Sequence, residues 1–227
     1  MKEKYLIATI KSWNISNAEK FIKDNPDKEI TLITDKNSLT HNRLKEINPK
    51  YVFIPHWSWI IPADVYENFE CIIFHMTDLP FGRGGSPLQN LIVRGIEKTK
   101  ISAIQCVKEL DGGDVYLKKD LSLKGSAEQI FKSASKIIFE KMIPYIIKNN
   151  PKPIAQAGEI VEFKRRKPQE SDISGLDNLD KVYDYIRMLD GEGYPSAFIE
   201  TEDLRIEFTN AKREENCVVA EVKILKK

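Results

Sequence analysis

Cys71-Ile72-Ile73-Phe74-His75-Met76-Thr77-Asp78-Leu79-Pro80-Phe81-Gly82-Arg83-Gly84-Gly85-Ser86-Pro87 is an apolar run that ends on a histidine and passes into a loop rich in glycine and proline. Its first four residues show no polar alternation, the pattern of a strand buried on both faces. Strand-like runs at residues 5–10, 29–34 and 51–55 precede it. Helix signals separate them. Ser16-x-x-Glu19 reads as a capping box opening a helix that Asn25-Pro26-Asp27 breaks. Residues 39–47 form a second helix, and residues 62–68, begun by a proline at an allowed early position, a third. This β-α-β-α order with short links predicts an α/β fold, a Rossmann-like, mostly parallel sheet with helices on both faces.

Downstream, residues 78–87 are too rich in Gly and Pro for regular structure, and residues 88–94 read as a helix. Two further strands, 101–108 and 115–121, flank Glu109-Leu110-Asp111-Gly112-Gly113-Asp114, where Asp-Gly-Gly is a strong turn signal. Ser126-x-x-Gln129 caps a long amphipathic helix, 127–148, whose apolar positions Ile130, Ala134, Ile137, Ile138 and Met142 recur at helical spacing. Asn149-Asn150-Pro151-Lys152-Pro153 ends it and marks the expected boundary between a domain at 1–150 and a small α+β appendix at 151–227. The appendix holds a basic run at 164–167, a helix at 179–189 and strands at 196–201, 204–210 and 218–225.

The chain has 227 residues, 41% of them hydrophobic and 30% charged, enough apolar material for a core and too much for a disordered chain. The net charge of +1 gives no overall field for gripping a phosphate backbone, so nucleic acid is not expected as a partner. Residues 1–150 carry 22 basic and 18 acidic side chains, and residues 151–227 carry 13 and 16. No apolar run approaches the ~20 residues that span a bilayer, and no secretory h-region opens the chain, so a cytoplasmic protein is expected. Cys71 and Cys217 read as small apolar residues within strands. With no C-x-x-C pair among Cys71, Cys106 and Cys217, neither a metal site nor a disulfide framework is expected.

Ligands of open parallel sheets bind beyond the carboxyl ends of the strands. His75 ends a strand there, and a histidine can act as acid, base or hydrogen-bond donor near neutral pH, or simply cap the strand end. Asp111 sits at another strand end, where an aspartate either makes a turn hydrogen bond or serves chemistry. The glycines match neither the dinucleotide fingerprint nor a P-loop. Trp57 and Trp59, two apart in a loop after a strand, either pack or face a flat ligand. Lys11, Trp13 and Asn14 follow the first strand, where loops often face substrate or are plain surface turns. The basic run at 164–167 reads as a solvated linker or a phosphate contact.

His75 and Asp111, 36 residues apart, with the loop between them, resemble the formyltransferase family that uses N10-formyltetrahydrofolate. The family pattern, roughly Asn-x-His-x-Ser-Leu-Leu-Pro-x-x-Arg-Gly-x-x-Pro and later Leu-Asp-(Ala/Gly)-Gly, falls on His75, Thr77, Pro80, Arg83, Gly84, Pro87 and Asp111. Leu179 to Leu189, followed by Gly193-Tyr194-Pro195-Ser196-Ala197-Phe198, resembles the family's appended C-terminal domain. The resemblance implies the formyltransferase fold, with His75 and Asp111 catalytic. It places the pterin between Trp57, Trp59 and Ile60 on one wall and Glu109, Leu110, Gly112 and Asp114 on the other. Lys11, Trp13, Asn14, Thr77, Arg83 and Gly84 are then expected to face the acceptor.

The family's asparagine is replaced here by Ile73, so Thr77, Asn90, His56 or a backbone N–H of the 82–86 loop must stand in as oxyanion donor, or the chemistry differs. The acidic appendix argues against tRNA and leaves a nucleotide-linked amino sugar, such as a UDP-linked 4-amino-4,6-dideoxy sugar, as the expected acceptor. Folate and nucleotide sugar are then the partners, with a homodimer as the family's expectation. A non-catalytic binding module, a formyl hydrolase and a methionyl-tRNA formyltransferase-like activity are the alternatives.

Overall fold

The computed structural model describes residues 2–227. In chain order the strands are β1 (Lys4–Ala8), β2 (Glu29–Ile33), β3 (Tyr51–Pro55), β4 (Cys71–His75), β5 (Phe81–Gly84), β6 (Lys98–Gln105), β7 (Val115–Ser122), β8 (Val161–Phe163), β9 (Ala197–Glu200), β10 (Leu204–Arg213) and β11 (Val218–Lys226). The helices are α1 (Ser12–Asp24), α2 (His41–Ile47), α3 (Ala63–Tyr66), α4 (Pro87–Ile92), α5 (Ala127–Ile137), α6 (Ile143–Asn149) and α7 (Leu179–Arg187). The chain divides into two compact units.

The first unit takes residues 2–83, 100–121 and 132–162. Its sheet has the order β2-β1-β3-β4-β6-β7, parallel from β2 through β4, with β6 antiparallel to β4. Strands buried on both faces need apolar residues without alternation. Accordingly Tyr5, Leu6, Ile7 and Ala8 are all fully buried. On one face Leu6, Ala8, Val52, Ile54 and Cys71 pack with Leu39, Leu44 and Val65 beneath α2 and α3. On the other, Tyr5, Phe53 and Phe74 form a chain of ring contacts at 6.2 and 6.5 Å. Burial contributes roughly 1.5–3 kcal/mol for each large side chain, which fixes the pleat and therefore which face each strand-end residue leaves on. His75 shares its face with Cys71 and Ile73.

The second unit comprises residues 84–99, 122–131 and 163–227. It is built on the antiparallel sheet β11-β10-β9 with α7, whose N-terminus is capped by the Asn178 side chain accepting from Asp180 and Lys181 N–H. Arg187 donates to Leu123 O at 2.7 Å and Gly125 O at 2.9 Å, satisfying carbonyls ahead of α5. The Asn90 amide donates to Gly85 O, Ser86 O and Lys164 O.

Four local expectations are corrected. α1 begins at Ser12 rather than at the Ser16 box, because Lys11 adopts φ 78 and its carbonyl accepts from Asn14 and Ile15, starting the turn one turn earlier. The Gly/Pro-rich stretch after His75 contains a strand, β5, and the polar stretch after Pro153 contains β8. At Gly84, with φ 102, a Cβ would overlap Phe163 O, so only glycine lets these backbones meet. The expected helix 127–148 is interrupted by a widened π-type turn at Ile138–Met142 before α6, where Pro144 lacks the N–H a regular turn would need. Cys217 is exposed and precedes β11, with its Sγ 3.5 Å from Glu214 Oε2.

Cys71 and Cys106 are buried opposite each other, Cys106 N–H donating to Cys71 O at 2.8 Å. Burial pushes both thiols up, Cys106 to about 11. Thiolate, not thiol, reacts with disulfide reagents, so at about pH 8 native protein is expected to titrate one thiol per chain. Cys217→Ser should remove that signal, and urea should expose all 3 cysteines. Two native equivalents would show that the strand pair opens. The Glu214 hydrogen bond raises the Cys217 thiol above its ordinary 9.0, so its labelling rate should still climb beyond that pH.

Candidate active site

Chain order in the sheet brings three segments to the carboxyl end of β4. The antiparallel register places His75 opposite Ser102 of β6. Ser102 is fully buried; its hydroxyl donates to Thr77 O at 2.7 Å and accepts from Leu79 N–H at 3.4 Å. This folds the chain back after β4 and brings Gly82 O within 2.7 Å of His75 Nε2. A carbonyl only accepts, so Nε2 carries the proton. Thr77 Oγ1 donates to the same carbonyl at 3.3 Å.

The Asp-Gly-Gly turn closes on the end of β6. Gln105 N–H donates to Asp114 O at 2.9 Å, and Gly112 N–H donates to Glu109 O at 3.1 Å. A Cβ on Gly113 would overlap Gln105 O, so the turn can lie flat on the strand only with glycine there. Asp111 takes φ 52, a left-handed conformation uncommon outside glycine but tolerated by aspartate. Its Oδ2 lies 3.5 Å from His75 Nδ1, and both side chains are 9% exposed. That separation exceeds ordinary hydrogen-bond length and is an ion-pair distance when Nδ1 is also protonated. The charge of Asp111 also reaches Cys106, whose thiol is raised first by burial and then by this carboxylate.

Arg83 is buried, and its guanidinium is directed to the protein's own groups. Nε and Nη2 donate to Gln156 Oε1 at 3.1 and 2.9 Å, and Nη1 pairs with Glu109. Gln156 Nε2 donates to Asp111 O and Gly113 O, both at 2.8 Å. Gln156 and Ser102 belong to this arrangement and were not anticipated, whereas Gly113 closes the Asp-Gly-Gly turn that the sequence announces. Ser102 sits inside an apolar strand and Gln156 in a polar stretch with no motif, so no sequence signal marks either.

The other expected residues fall into two groups. Trp13, in the first turn of α1, is buried with its ring 6.0 Å from that of His56, edge-on. Trp57 and Trp59 meet edge-to-face at 5.0 Å. Trp57, like Ile73, packs against the core, whereas Trp59 is 41%, Ile60 94% and Leu110 71% exposed. Asn14 is buried and turned to Ile10 O at 3.4 Å, while Lys11 is half-buried. Gly112 is pressed against the Glu109 side chain, and Asp114 is half-buried. Gly84 belongs to the second unit and is not joined with the rest here. There too, Arg166 stacks over Tyr185 at 5.2 Å and its backbone N–H donates to Ser86 Oγ at 3.1 Å, so the basic run is anchored at its middle.

Among the described residues no cluster of three or more His, Cys, Asp or Glu is placed to hold a metal, and no helix is long and apolar enough to cross a membrane. A family model, the methionyl-tRNA formyltransferase C-terminal domain, matches residues 168–225. The chain is 26% identical over 190 residues to methionyl-tRNA formyltransferase of Rickettsia felis, covering 79% of this chain and 62% of that one. The Bacillus cytotoxicus enzyme of the same name is 27% identical over 157 residues, covering 66% and 50%. The chain thus spans about half to three-fifths of these relatives. A structure of methionyl-tRNA formyltransferase from Clostridium thermocellum superposes with a TM-score of 0.98 at 56% identity, covering 99% of this chain and 100% of that one. A sugar N-formyltransferase from a Shewanella species shares the fold, with a TM-score of 0.68 at 14% identity, covering 88% and 93%. Identity above one half along the whole of a solved relative, on top of a histidine and an aspartate meeting at the strand ends, places the chain in the formyltransferase family.

Proposed function

We propose that the protein transfers a formyl group from N10-formyltetrahydrofolate to a primary amine, with His75 and Asp111 as the catalytic pair. The observation that carries the reading is the contact of His75 Nδ1 with Asp111 Oδ2 at 3.5 Å in a buried position at the carboxyl end of the sheet. We assign the chemistry to residues 1–150 and treat the rest as the appended domain; the compact unit that carries the pair comprises residues 2–83, 100–121 and 132–162, while residues 84–99 and 122–131 fold with residues 163–227. Trp59, Ile60 and Leu110 are large apolar side chains left open to solvent, a surface that a flat heterocycle would cover, with Trp57, Glu109, Gly112 and Asp114 as its further contacts. The folate supplies the activated formyl group. Lys11, Trp13, Asn14 and Thr77 are the proposed acceptor-side residues.

The histidine acts without leaving its place. Held by Gly82 O at Nε2, with the Asp111 carboxylate 3.5 Å from Nδ1, the imidazole is a fixed dipole that stabilises negative charge growing on the formyl oxygen. This role answers the replacement of the family asparagine by Ile73. Thr77 already donates to Gly82 O, and the amide of Asn90 is spent on three carbonyls. Asp111 takes up the proton that the attacking amine releases, directly or through water, and the same proton passes through water to N10 as its bond to the formyl carbon breaks. Positioning of two bound reactants supplies much of the remainder.

For the acceptor, the relatives at 26–56% identity carry the name methionyl-tRNA formyltransferase, so the amine of methionyl-tRNA is the first candidate. A nucleotide-linked amino sugar is the second, favoured by the charge of residues 151–227, which hold 13 basic and 16 acidic side chains and would repel a polyanion. Release of tetrahydrofolate should be followed with methionyl-tRNA, with a UDP-linked 4-amino-4,6-dideoxy sugar, and with no amine. Release that requires an amine supports the transferase, and the amine that saturates identifies the acceptor. Amine-independent release would make the protein a hydrolase, and folate binding without release a binding module.

His75→Ala is expected to lower transfer by ~10³-fold or more and Asp111→Asn by ~10²–10⁴-fold, with the unfolding midpoint nearly unchanged. Wild-type turnover in either removes that residue from the mechanism. Gly113→Ala forces a methyl into Gln105 O and is expected to cost ~1–3 kcal/mol in urea unfolding and to disable transfer. An unaltered midpoint would show that the turn does not rest on β6.

A further inference from the structure

We infer that Gln156 is a positioning residue for Asp111, a clamp that holds the left-handed turn so that its carboxylate faces His75. The inference rests on the formyl-transfer reading and assigns a part of that site that the family pattern does not mark. The amide is saturated: its oxygen accepts from Arg83 Nε at 3.1 Å and Nη2 at 2.9 Å, and its nitrogen donates to Asp111 O and Gly113 O at 2.8 Å each. Saturation also fixes which way the amide points, since a flip would set NH₂ against a guanidinium and C=O against two carbonyls. The two carbonyls it gathers belong to the residue with φ 52 and to the glycine two positions on, which is the backbone whose conformation aims the Asp111 side chain.

The segment that carries Gln156 is itself anchored. Ile154 and Val115 exchange both backbone hydrogen bonds, N–H of Val115 to Ile154 O at 2.8 Å and N–H of Ile154 to Val115 O at 2.9 Å. Gln156 therefore reaches the turn from a backbone already tied to the first residue of β7. Arg83, which the family pattern would place toward the acceptor, becomes the other half of the clamp. It is buried, it orients Gln156, and through Nη1 it engages Glu109 at the start of the same turn. A buried guanidinium needs such partners, and an amide held by it loses little further entropy on gripping the turn.

Gln156→Ala and Gln156→Glu separate the two halves. The glutamate keeps a partner for Arg83 but sets oxygen against Asp111 O and Gly113 O, so both variants should lose ~10–100-fold in kcat with folate KM nearly unchanged. In the Asp111→Asn background, Gln156→Ala should cost less than about twofold more, because residues acting as one unit are not additive. Asn17→Ala, which removes a 2.8 Å hydrogen bond to Ser135 elsewhere in the same unit, is the control for a purely structural loss and should leave kcat unchanged.

The chain has 3 histidines, so the ring nitrogens of His75 can be assigned by NMR in the free protein, with no substrate present. Gln156→Ala should shift His75 Nδ1 in the same sense as Asp111→Asn does. Unchanged kcat and Nδ1 resonance in Gln156→Ala, or losses that multiply fully with Asp111→Asn, would overturn the inference. If the wild type transfers no formyl group, the functional reading fails while the Nδ1 measurement still decides the clamp.

Discussion

A left-handed residue in the turn after β6 governs the architecture at the end of the sheet. Asp111 at φ 52 is a conformation that costs an ordinary residue of order 1 kcal/mol, and it persists because its surroundings over-determine it. Gly113 lies flat on Gln105 O, Gln105 N–H holds Asp114 O, and Gln156 draws the carbonyls of Asp111 and Gly113 together. The antiparallel pairing of β4 with β6 is what makes the arrangement possible, because it sets the strand that ends on His75 beside the strand that feeds the turn.

Burying an imidazole and a carboxylate together is costly unless each satisfies the other and the remaining polar atoms find partners. Here the second ring nitrogen has Gly82 O, and that carbonyl is shared with Thr77. Ser102 fixes the chain on either side of the bend that delivers Gly82. The pair therefore sits inside a shell of hydrogen bonds, whereas the loop residues Trp59, Ile60 and Leu110 expose apolar surface. Fixed dipoles beside uncovered apolar groups are the usual composition of a small-molecule site.

In the proposed reaction, Ile73, where the family pattern has asparagine, leaves oxyanion stabilisation to other groups. Ile73 lies on the same face as His75 and packs against the core, so the position is a wall rather than a donor. A histidine held at Nε2 by Gly82 O, with Asp111 Oδ2 3.5 Å from Nδ1, is a dipole already fixed in place. The relatives sharing 26–27% identity are longer than this chain, which spans 50–62% of them, while the solved relative at 56% identity matches it from end to end.

The order of strands and helices, the buried strands and the two residues that meet at their ends were legible in the amino-acid sequence, because apolar periodicity and turn chemistry are local. Short continuous apolar runs rich in β-branched residues suit two-faced strands, and Asp-Gly-Gly between two of them suits a tight connection. The reading slipped where a distant backbone settled local form. Gly84 lies in a strand because Phe163 O approaches it, and the helix after Ser126 widens where Pro144 withholds an N–H. Gln156 carries no motif, since its partners lie 43 to 73 positions away and its role exists only once they converge. Sequence alone determined that a histidine and an aspartate stand at strand ends. Only tertiary structure decided that they face each other, because the strand register and the hydrogen bonds that aim a side chain are made between segments that no local pattern connects.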